Sequence, residues 1–504
     1  DFDGLTVRSK ISAYDHFGTE DSKLTLKWGS FFNDGATNVG LFVDYYDRGN
    51  INAQEDPRWG AGEHRPFVDD DSPWKTSTSF RNLSSHSLYG QFDMVKSSEH
   101  GSSNPYNHVF TDSNGEFEVF PLGDARCSNR SSQGGQIFDT GYGTCIAQDG
   151  NGAIRSNFWG KTDVRSELQR MNAVLFINHD MDNGMQAFTE LGFYTSESDR
   201  IAHPSYAFSS SKHRVGPDNY WLNSMALDDG TVLFGGYELY MDNYRYEERQ
   251  RLVNVKKDTY RFLQGFRGSN DKWDWETAFV TSKATSDDVT SNRMSNNLLK
   301  AALWDSTAAA YNPFTGGNYA TNIERTLIDV YRKGTSELTM FDFKMSSNDF
   351  WTLPGGGDVG VLFGFEYRDE EMSDDRDPRL DGTITYTDYE GDTYPLVADV
   401  LNSSPTGDVS GGRHVTSFFT ELQIPLAESA DMQIALRNED YSDSGNATVG
   451  KIALGWDIAP WAFFRASMST SFRAPNIIQV NETTVVRSGT RYDRAAFQVN
   501  AVQS

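Results

Sequence analysis

Positive charge is what this chain has least of. Lys and Arg number 45 against 71 Asp and Glu, a formal net charge of −26 over 504 residues. That surplus repels phosphate, so a nucleic-acid binder and a basic membrane-surface binder are excluded. Long apolar runs are missing too. Mean hydropathy is −0.59, and no stretch approaches the roughly 18 consecutive apolar residues of a membrane helix. Proline is scarce at 15 residues, whereas aromatics reach 13% (11 Trp, 23 Tyr, 33 Phe) beside 44 Gly. Strands and turns suit that mixture better than a helical bundle, so the expected fold class is all-β. Only two cysteines occur, Cys127 and Cys145, inside one Gly/Ser/Asn-rich stretch. They read as a disulfide closing a loop in an oxidising compartment rather than as two free thiols, and no His at ligand spacing accompanies them to build a zinc site.

Period-2 alternation is the strongest pattern present, over segments of roughly ten residues, the length of a barrel strand. Trp273, Trp275, Thr277 and Phe279 fall on one face and Lys272, Asp274, Glu276 and Ala278 on the other, because successive side chains of a strand alternate. Val361, Phe363, Phe365 and Tyr367 oppose Leu362, Gly364, Glu366 and Arg368. Met432, Ile434 and Leu436 oppose Gln433, Ala435, Arg437 and Glu439 in the same way. Ile452, Leu454, Trp456 and Ile458, and then Ala462, Phe464, Ala466 and Met468, continue the apolar set. One face is apolar and the other carries charge.

The connections alternate as well. Tight hairpin signals stand at Asn33 to Asn38, His179 to Gly184, Leu227 to Thr231, Gly268 to Asp271, Ala427 to Ala430 and Ile458 to Trp461. Between them lie longer polar stretches: Asp47 to Arg81, Ser97 to Arg170, Ser196 to Asn219, Asp242 to Asp258, Ala284 to Arg325 and Asp369 to Gly412, with Tyr441 to Ala447 a brief member. Elaboration on one end only is the anatomy of an antiparallel up-and-down transmembrane β-barrel with short periplasmic turns and long extracellular loops.

Gly364-Phe-Glu-Tyr-Arg-Asp-Glu370 resembles a strand of TonB-dependent outer-membrane receptors. Glu421-Leu-Gln-Ile-Pro-Leu426, with Pro425 and Leu426, resembles that family's strand-ending phrase. Leu436 to Gly445, carrying Arg437, Tyr441, Ser442 and Gly445, and Ser471 to Asn476, carrying Phe472, Arg473, Ala474 and Pro475, resemble two more of its barrel phrases. Tyr311-Asn-Pro-Phe314 and the hairpin from Phe31 to Arg48 are similar less specifically. The resemblance implies that residues 1–504 are barrel, part of a 22-stranded whole, with a long extracellular loop over 97–170 holding the disulfide. About 15 alternating segments can be counted on the ten-residue template, too few to close such a barrel. The family's plug domain, which contacts the TonB energy transducer, and its closing strands are therefore expected outside this sequence. The implied location is the outer membrane of a Gram-negative bacterium, with outer-membrane lipid as a partner.

Chemistry is sparse. Glu366 with Glu370 and Glu371, or Asp287 with Asp288, offer hydrolase-like carboxylate pairs, but an acidic composition produces many such pairs, and Glu366 beside Arg368 reads as a lumen ion pair. No nucleophile elbow or P-loop occurs, and the nine His are scattered. No enzyme activity and no cofactor are expected. Asp374, Asp375, Asp377 and Asp381 form a weak calcium candidate off the usual loop spacing, interleaved with arginines. The ligand-binding candidates are Trp59, Trp74, Trp159, Trp221, Trp304 and Trp351, in or next to loops, and the inward Arg437 and Arg473. Aromatic faces stack on sugar or aromatic rings, and guanidinium groups meet anions.

The function expected from the resemblance is import of a scarce nutrient, a small organic ligand such as a saccharide or siderophore. The rival reading is a secreted soluble β-protein that binds or hydrolyses polysaccharide, and a passive porin is a third. Under the receptor reading, mass spectrometry of the native, detergent-extracted chain gives a mass far above 56.5 kDa. A mass equal to that figure favours the soluble rival.

Overall fold

The structure, a computed structural model, describes residues 2–482 except 78–79, 95–114, 129–136, 148–153, 208–212, 231, 235 and 355–356. The first three strands, β1 (Gly4–Tyr14), β2 (Phe17–Phe32) and β3 (Thr37–Arg48), are followed by short ones within a long connection. These are β4 (Ile51–Asn52), β5 (Gln91–Met94), β6 (Glu116–Pro121), β7 (Phe138–Asp139), β8 (Thr144–Ala147) and β9 (Asp163–Arg165). Long strands resume with β10 (Leu168–Asp180) and β11 (Gln186–Ala202), and β12 (His213–Val215) and β13 (Leu239–Asp242) are again short. The rest are β14 (Arg251–Ser269), β15 (Asp274–Met294), β16 (Leu327–Leu353), β17 (Gly357–Arg376), β18 (Val409–Ala427), β19 (Ala430–Tyr441), β20 (Gly445–Ala459) and β21 (Ala462–Ser469).

Thirteen strands form one antiparallel sheet in the order β1-β2-β3-β10-β11-β14-β15-β16-β17-β18-β19-β20-β21. Every long strand pairs with the next along the chain, so the sheet is an up-and-down meander with open ends, a partial barrel. The turns at one end are tight. Asn33, Asp34 and Gly35 all adopt positive φ (54°, 55° and 96°), which Asn, Asp and Gly tolerate and which lets β2 fold directly onto β3.

Register sorts the side chains onto two faces. Leu5 opposes Trp28, Leu26 opposes Val43, and Leu41 opposes Leu175, which in turn meets Leu191. Trp275 opposes Met345, which opposes Phe363, and Met432 opposes Leu454. The anticipated apolar belt is therefore continuous, and nothing among the described residues covers it: Ile452 is 47%, Trp456 46%, Phe464 46% and Met468 73% exposed. Across the sheet the other face carries Glu276 opposite Lys344, and Glu366, Arg368, Arg437 and Glu439.

The hydrophobic core lies in the connections at the far end from the tight turns. Segments 49–167 and 203–250 supply a six-stranded sheet in the order β12-β13-β5-β6-β8-β7. Phe92 and Phe117 stack there at 5.4 Å and Phe117 and Phe234 at 4.8 Å, and Leu299, Leu303, Tyr311 and Phe314 from 295–326 and Leu401 from 377–408 join the same cluster. The helix Asn296–Leu303 buries Leu299, Ala302 and Leu303, and Ser295 caps it by accepting from the Leu298 N–H at 3.2 Å. The fully buried Asp399 accepts from Ser295 Oγ (2.8 and 2.9 Å), the Asn297 N–H (2.7 Å) and Arg379, fastening one connection to another. The disulfide Cys127–Cys145 ties the turn Ala125–Cys127 to β8.

Two expectations change. Asp47 to Arg81 and Ser97 to Arg170 belong to one connection, because β5 pairs with β6 and β13 in the cap and not with the large sheet. Of the stretch Leu227 to Thr231, Thr231 lies outside the described residues, and residues 227–230 turn, with Gly230 donating to the Leu227 carbonyl at 2.8 Å, but inside the cap that the connections form. Its flanks Leu222, Met225, Leu233 and Phe234 are buried core, so they do not alternate between two solvents as a barrel strand does. The sheet thus has thirteen strands where the alternation count gave about 15.

Replacing Leu454, mid-strand on the apolar belt, with Arg is expected to cost about 2–4 kcal/mol in a reversible folding assay in lipid. Arg at the neighbouring Ala453, on the charged face, should cost far less. Equal costs would remove the lipid-facing assignment.

Candidate ligand-binding face and loop cap

Charges on the polar face are interlocked. Arg368 donates to Glu366 at 3.0 Å and is ion-paired with Glu370 at 2.7 Å, and Arg413 reaches Glu370 at 2.8 Å and Asp443 at 3.8 Å. Arg437 pairs with Glu439 (2.7 Å), approaches Glu366 (3.6 Å), bonds Ser417 Oγ (3.1 Å) and lies over the Phe419 ring. Tyr441 donates to Glu439 at 2.6 Å. The ion pair read for Glu366 and Arg368 is present, and of the hydrolase-like carboxylates Glu366 and Glu370 are held by guanidinium groups, an arrangement unsuited to a paired acid and base.

The other barrel-phrase residues shape this wall. A side chain at Gly364 would collide with the Phe419 ring. Pro425 and Leu426 flank the register irregularity near the end of β18. Gly445, at φ 84°, closes the brief turn after Tyr441 and Ser442, and Ser442 Oγ accepts from the His414 N–H at 2.9 Å. Phe472 packs on Tyr441 at 5.8 Å, and the Pro475 carbonyl accepts from Arg413 at 2.8 Å. Ala474 lies between them, and Arg473 is exposed. A cavity of about 830 Å³ opens on this face, lined among others by Lys257, Asp288, Arg332, Asp374, Arg413 and Ile477.

Asp374 accepts both Arg332 nitrogens (2.7 and 2.9 Å) and Arg376 (2.6 Å). Asp377 and Asp381 accept the backbone N–H groups of Arg379 and Thr383, while Asp375 opposes Lys333 in the ladder. The four aspartates are thus engaged separately, and among the described residues no group of three or more potential ligands assembles for a metal.

The tryptophans are spread over the molecule. Trp59 stacks on Phe17 at 5.5 Å and Trp74 lies 5.7 Å from Phe80. Trp159 donates to the Asn82 carbonyl at 3.1 Å, and Trp304 to the Tyr389 hydroxyl at 3.2 Å. Trp351, 62% exposed, stands at the tight-turn end of β16, opposite Val359 and remote from the cap. Trp159 also stacks on Phe158 at 4.9 Å. Trp221 sits in a tyrosine cluster: its ring meets Tyr142 edge-on at 5.5 Å and Tyr220 at 4.9 Å, and Tyr142 lies 6.2 Å from Tyr319. Tyr220 is 41% and Tyr319 55% exposed. These three tyrosines come from three connections, which is why a residue-by-residue search for tryptophan missed them.

A chain of buried polar groups inside the cap is hydrogen-bonded. His213 bonds the Tyr246 hydroxyl at 2.8 Å and Asn296 at 3.0 Å, and burial pushes its pKa down to about 4. Tyr244 and Tyr311 share a bond of 2.9 Å, and Tyr311 donates to Glu248 at 2.8 Å. Burial raises the Glu248 carboxyl.

Residues 215–500 match the family described as TonB dependent receptor-like, beta-barrel. Among solved structures the chain is similar to the ferric enterobactin receptor PfeA of Pseudomonas aeruginosa in complex with BCV-L6 (9% identity, 95% of this chain and 45% of that one, TM-score 0.44). It is similar also to the siderophore receptor PirA of Acinetobacter baumannii (10%, 94% and 42%, 0.41) and to the RagAB peptide transporter (9%, 90% and 36%, 0.39). The chain spans less than half the length of each. No curated protein matches.

A histidine lowered from 6.5 to about 4 binds its proton more readily unfolded than folded. Its contribution is therefore complete above pH 6.5 and lost as the pH falls from there through 4, about 3 kcal/mol in all. Limited proteolysis of the cap should accelerate over that window, and His213→Gln should reduce that acceleration, the remainder coming from His86 and His203, which burial also lowers. Glu248, shifted upward, acts in the opposite sense, so an unchanged profile in His213→Gln would assign the acid sensitivity elsewhere.

Proposed function

The chain belongs to the TonB-dependent receptor β-barrel family, and we propose that it is the barrel part of an outer-membrane receptor that imports a scarce solute with energy delivered by the TonB system. The observation that carries this reading is the pairing of an uncovered apolar belt with a charged opposite face across a single sheet. Lipid meets the first face and a solvated lumen the second. The loop cap then stands outside the cell, and the barrel, about 22-stranded when whole, is filled by a plug that links it to the transducer. The site is the outer membrane of a Gram-negative bacterium. No nucleic acid and no catalysis enter the mechanism.

The cap supplies the first contact with the solute. Trp221, Tyr142, Tyr220 and Tyr319 form an uncharged platform with Ser224 Oγ bonded to the Tyr142 hydroxyl at 3.0 Å, a surface suited to the flat face of a sugar or another organic ring. Trp304, Trp159, Trp59 and Trp74 are secondary contacts, and Arg437 and Arg473 lie along the path beyond. Trp351 belongs to the interfacial aromatic girdle at the other end. A secreted polysaccharide-binding protein is disfavoured because its outward strand face would be polar or covered.

Uptake by cells expressing the complete receptor should stop on deletion of the TonB system, with maltohexaose and ferrichrome as probes. Uptake indifferent to that deletion would make the protein a passive porin. Binding of whichever probe is taken up should weaken about tenfold in the Tyr142→Ala, Trp221→Ala double variant. Unchanged affinity would move the contact site off the platform.

A further inference from the structure

We propose that the rim where β11, β14 and β15 enter the cap carries an oxyanion site built by Arg200, Arg251, Arg293 and Arg245. Register puts the first two together. Ala202 pairs with Arg251 and Arg200 with Val253, so Arg200 and Arg251 lie diagonally on one face. It is the same face as Glu190 and Arg261, which pair at 3.3 Å, and therefore the polar one. Arg293 follows the irregularity after Thr290, where Asn292 takes φ 58°. Its guanidinium donates to the Leu401 carbonyl and Ser403 Oγ, both at 2.6 Å. Arg245, 5% exposed, donates to the Pro204 carbonyl (3.0 Å) and Ser84 Oγ (3.1 Å) between the rings of Phe158 and Tyr206.

Like charges face one another here. Arg200 repels the charge on Arg251, and Arg251 that on Arg293. His203 lies under the influence of Arg251, Arg245 and Arg200, and His86 under that of Arg245. The acids nearby are Glu247, which attracts Arg245 but is ion-paired with Lys161 at 3.2 Å, Asp242 beside His86, Asp163, which accepts the Ile201 N–H at 2.7 Å and the amides of Asn50 and Asn52, and Asp199, which accepts from Asn254 at 2.9 Å. Many arginines of this acidic chain meet carboxylates, as Arg332, Arg368, Arg413 and Arg437 do, and others, such as Arg48 and Arg267, hold neutral side chains. Arg293 and Arg245 have a bland role, holding neutral loop carbonyls. Among the described residues neither Arg200 nor Arg251 makes a side-chain hydrogen bond or ion pair; Arg200 is exposed, whereas Arg251 is half-buried and its Nε is buried without a partner.

Arg251, Arg293 and Arg245 are partly or fully withdrawn from water without an ion-pair partner, a costly state for a guanidinium, and a bound oxyanion relieves that cost with bidentate bonds, with the exposed Arg200 at the mouth. The polar face is reached from water, so the occupant is a solute. Phosphate and the carboxylates of a small organic acid share the required chemistry. The inference extends the receptor reading by naming a ligand class, but its test is of binding alone, so it can fail while TonB-dependent uptake stands.

Calorimetric titration of the detergent-purified native protein with inorganic phosphate and, separately, citrate is the experiment. Saturable binding of either supports the site, and the preferred anion identifies the source. Arg200→Gln with Arg251→Gln should weaken that binding at least about tenfold in a protein that melts like the native chain. Arg251→Lys should retain it within a few fold, and Arg8→Gln, on the polar face of β1, should leave it unchanged. Absence of binding by both anions, or binding indifferent to the double variant, overturns the proposal.

Discussion

A single sheet one strand thick has two faces and no interior, and the rest of this molecule follows from that. Strand-to-strand hydrogen bonds satisfy the backbone, but they leave each side chain to whatever medium its face meets. Alternation then becomes a rule about solvents: Leu, Phe, Trp and Met on one side, and on the other Arg, Lys, Glu and Asp that neutralise one another. The carboxylate surplus elsewhere makes the interleaving of Glu366, Arg368, Glu370, Arg413 and Arg437 more telling, since each guanidinium there is matched to an acid.

Packing of the ordinary kind is accordingly displaced into the connections. The largest fully buried side chains, Tyr244, Tyr246, Tyr311, Phe92 and Phe117 among them, all lie in the cap. There the chain behaves like a globular domain: stacked aromatics, an amphipathic helix, a buried aspartate bridging two segments, and a disulfide. Among the polar groups carried into that interior, the hydroxyls of Tyr244, Tyr246 and Tyr311, His213 and Glu248 each make a hydrogen bond.

Sequence patterning read the sheet well and the cap poorly, for a physical reason. Faces separated by two solvents impose period two on every residue, so the assignments around Trp275, Phe363, Leu454 and Phe464 match the register. The cap imposes no period. Its strands are two to six residues long, and the stretch around Leu227 to Thr231 has turn chemistry identical to a barrel hairpin with buried flanks on both sides. The same locality hid the cluster of Tyr142, Tyr220, Trp221 and Tyr319. Each residue is unremarkable alone, and the distances that join them span three connections. Acid-rich segments were legible only as composition, because whether Asp374 meets a metal or Arg332 is decided by a neighbouring strand.

The cap also has a mechanical character. Its segments leave from β3, β10, β11, β14, β15, β16, β17 and β18 and converge on one aromatic cluster, whereas β1 and β2, like β19 and β20, are joined by brief turns at that end. A body tethered at so many neighbouring points cannot hinge one segment at a time. It behaves as a stiff brace across the middle of the arc, and whatever bending the sheet undergoes is concentrated in the unbraced strands at its two flanks.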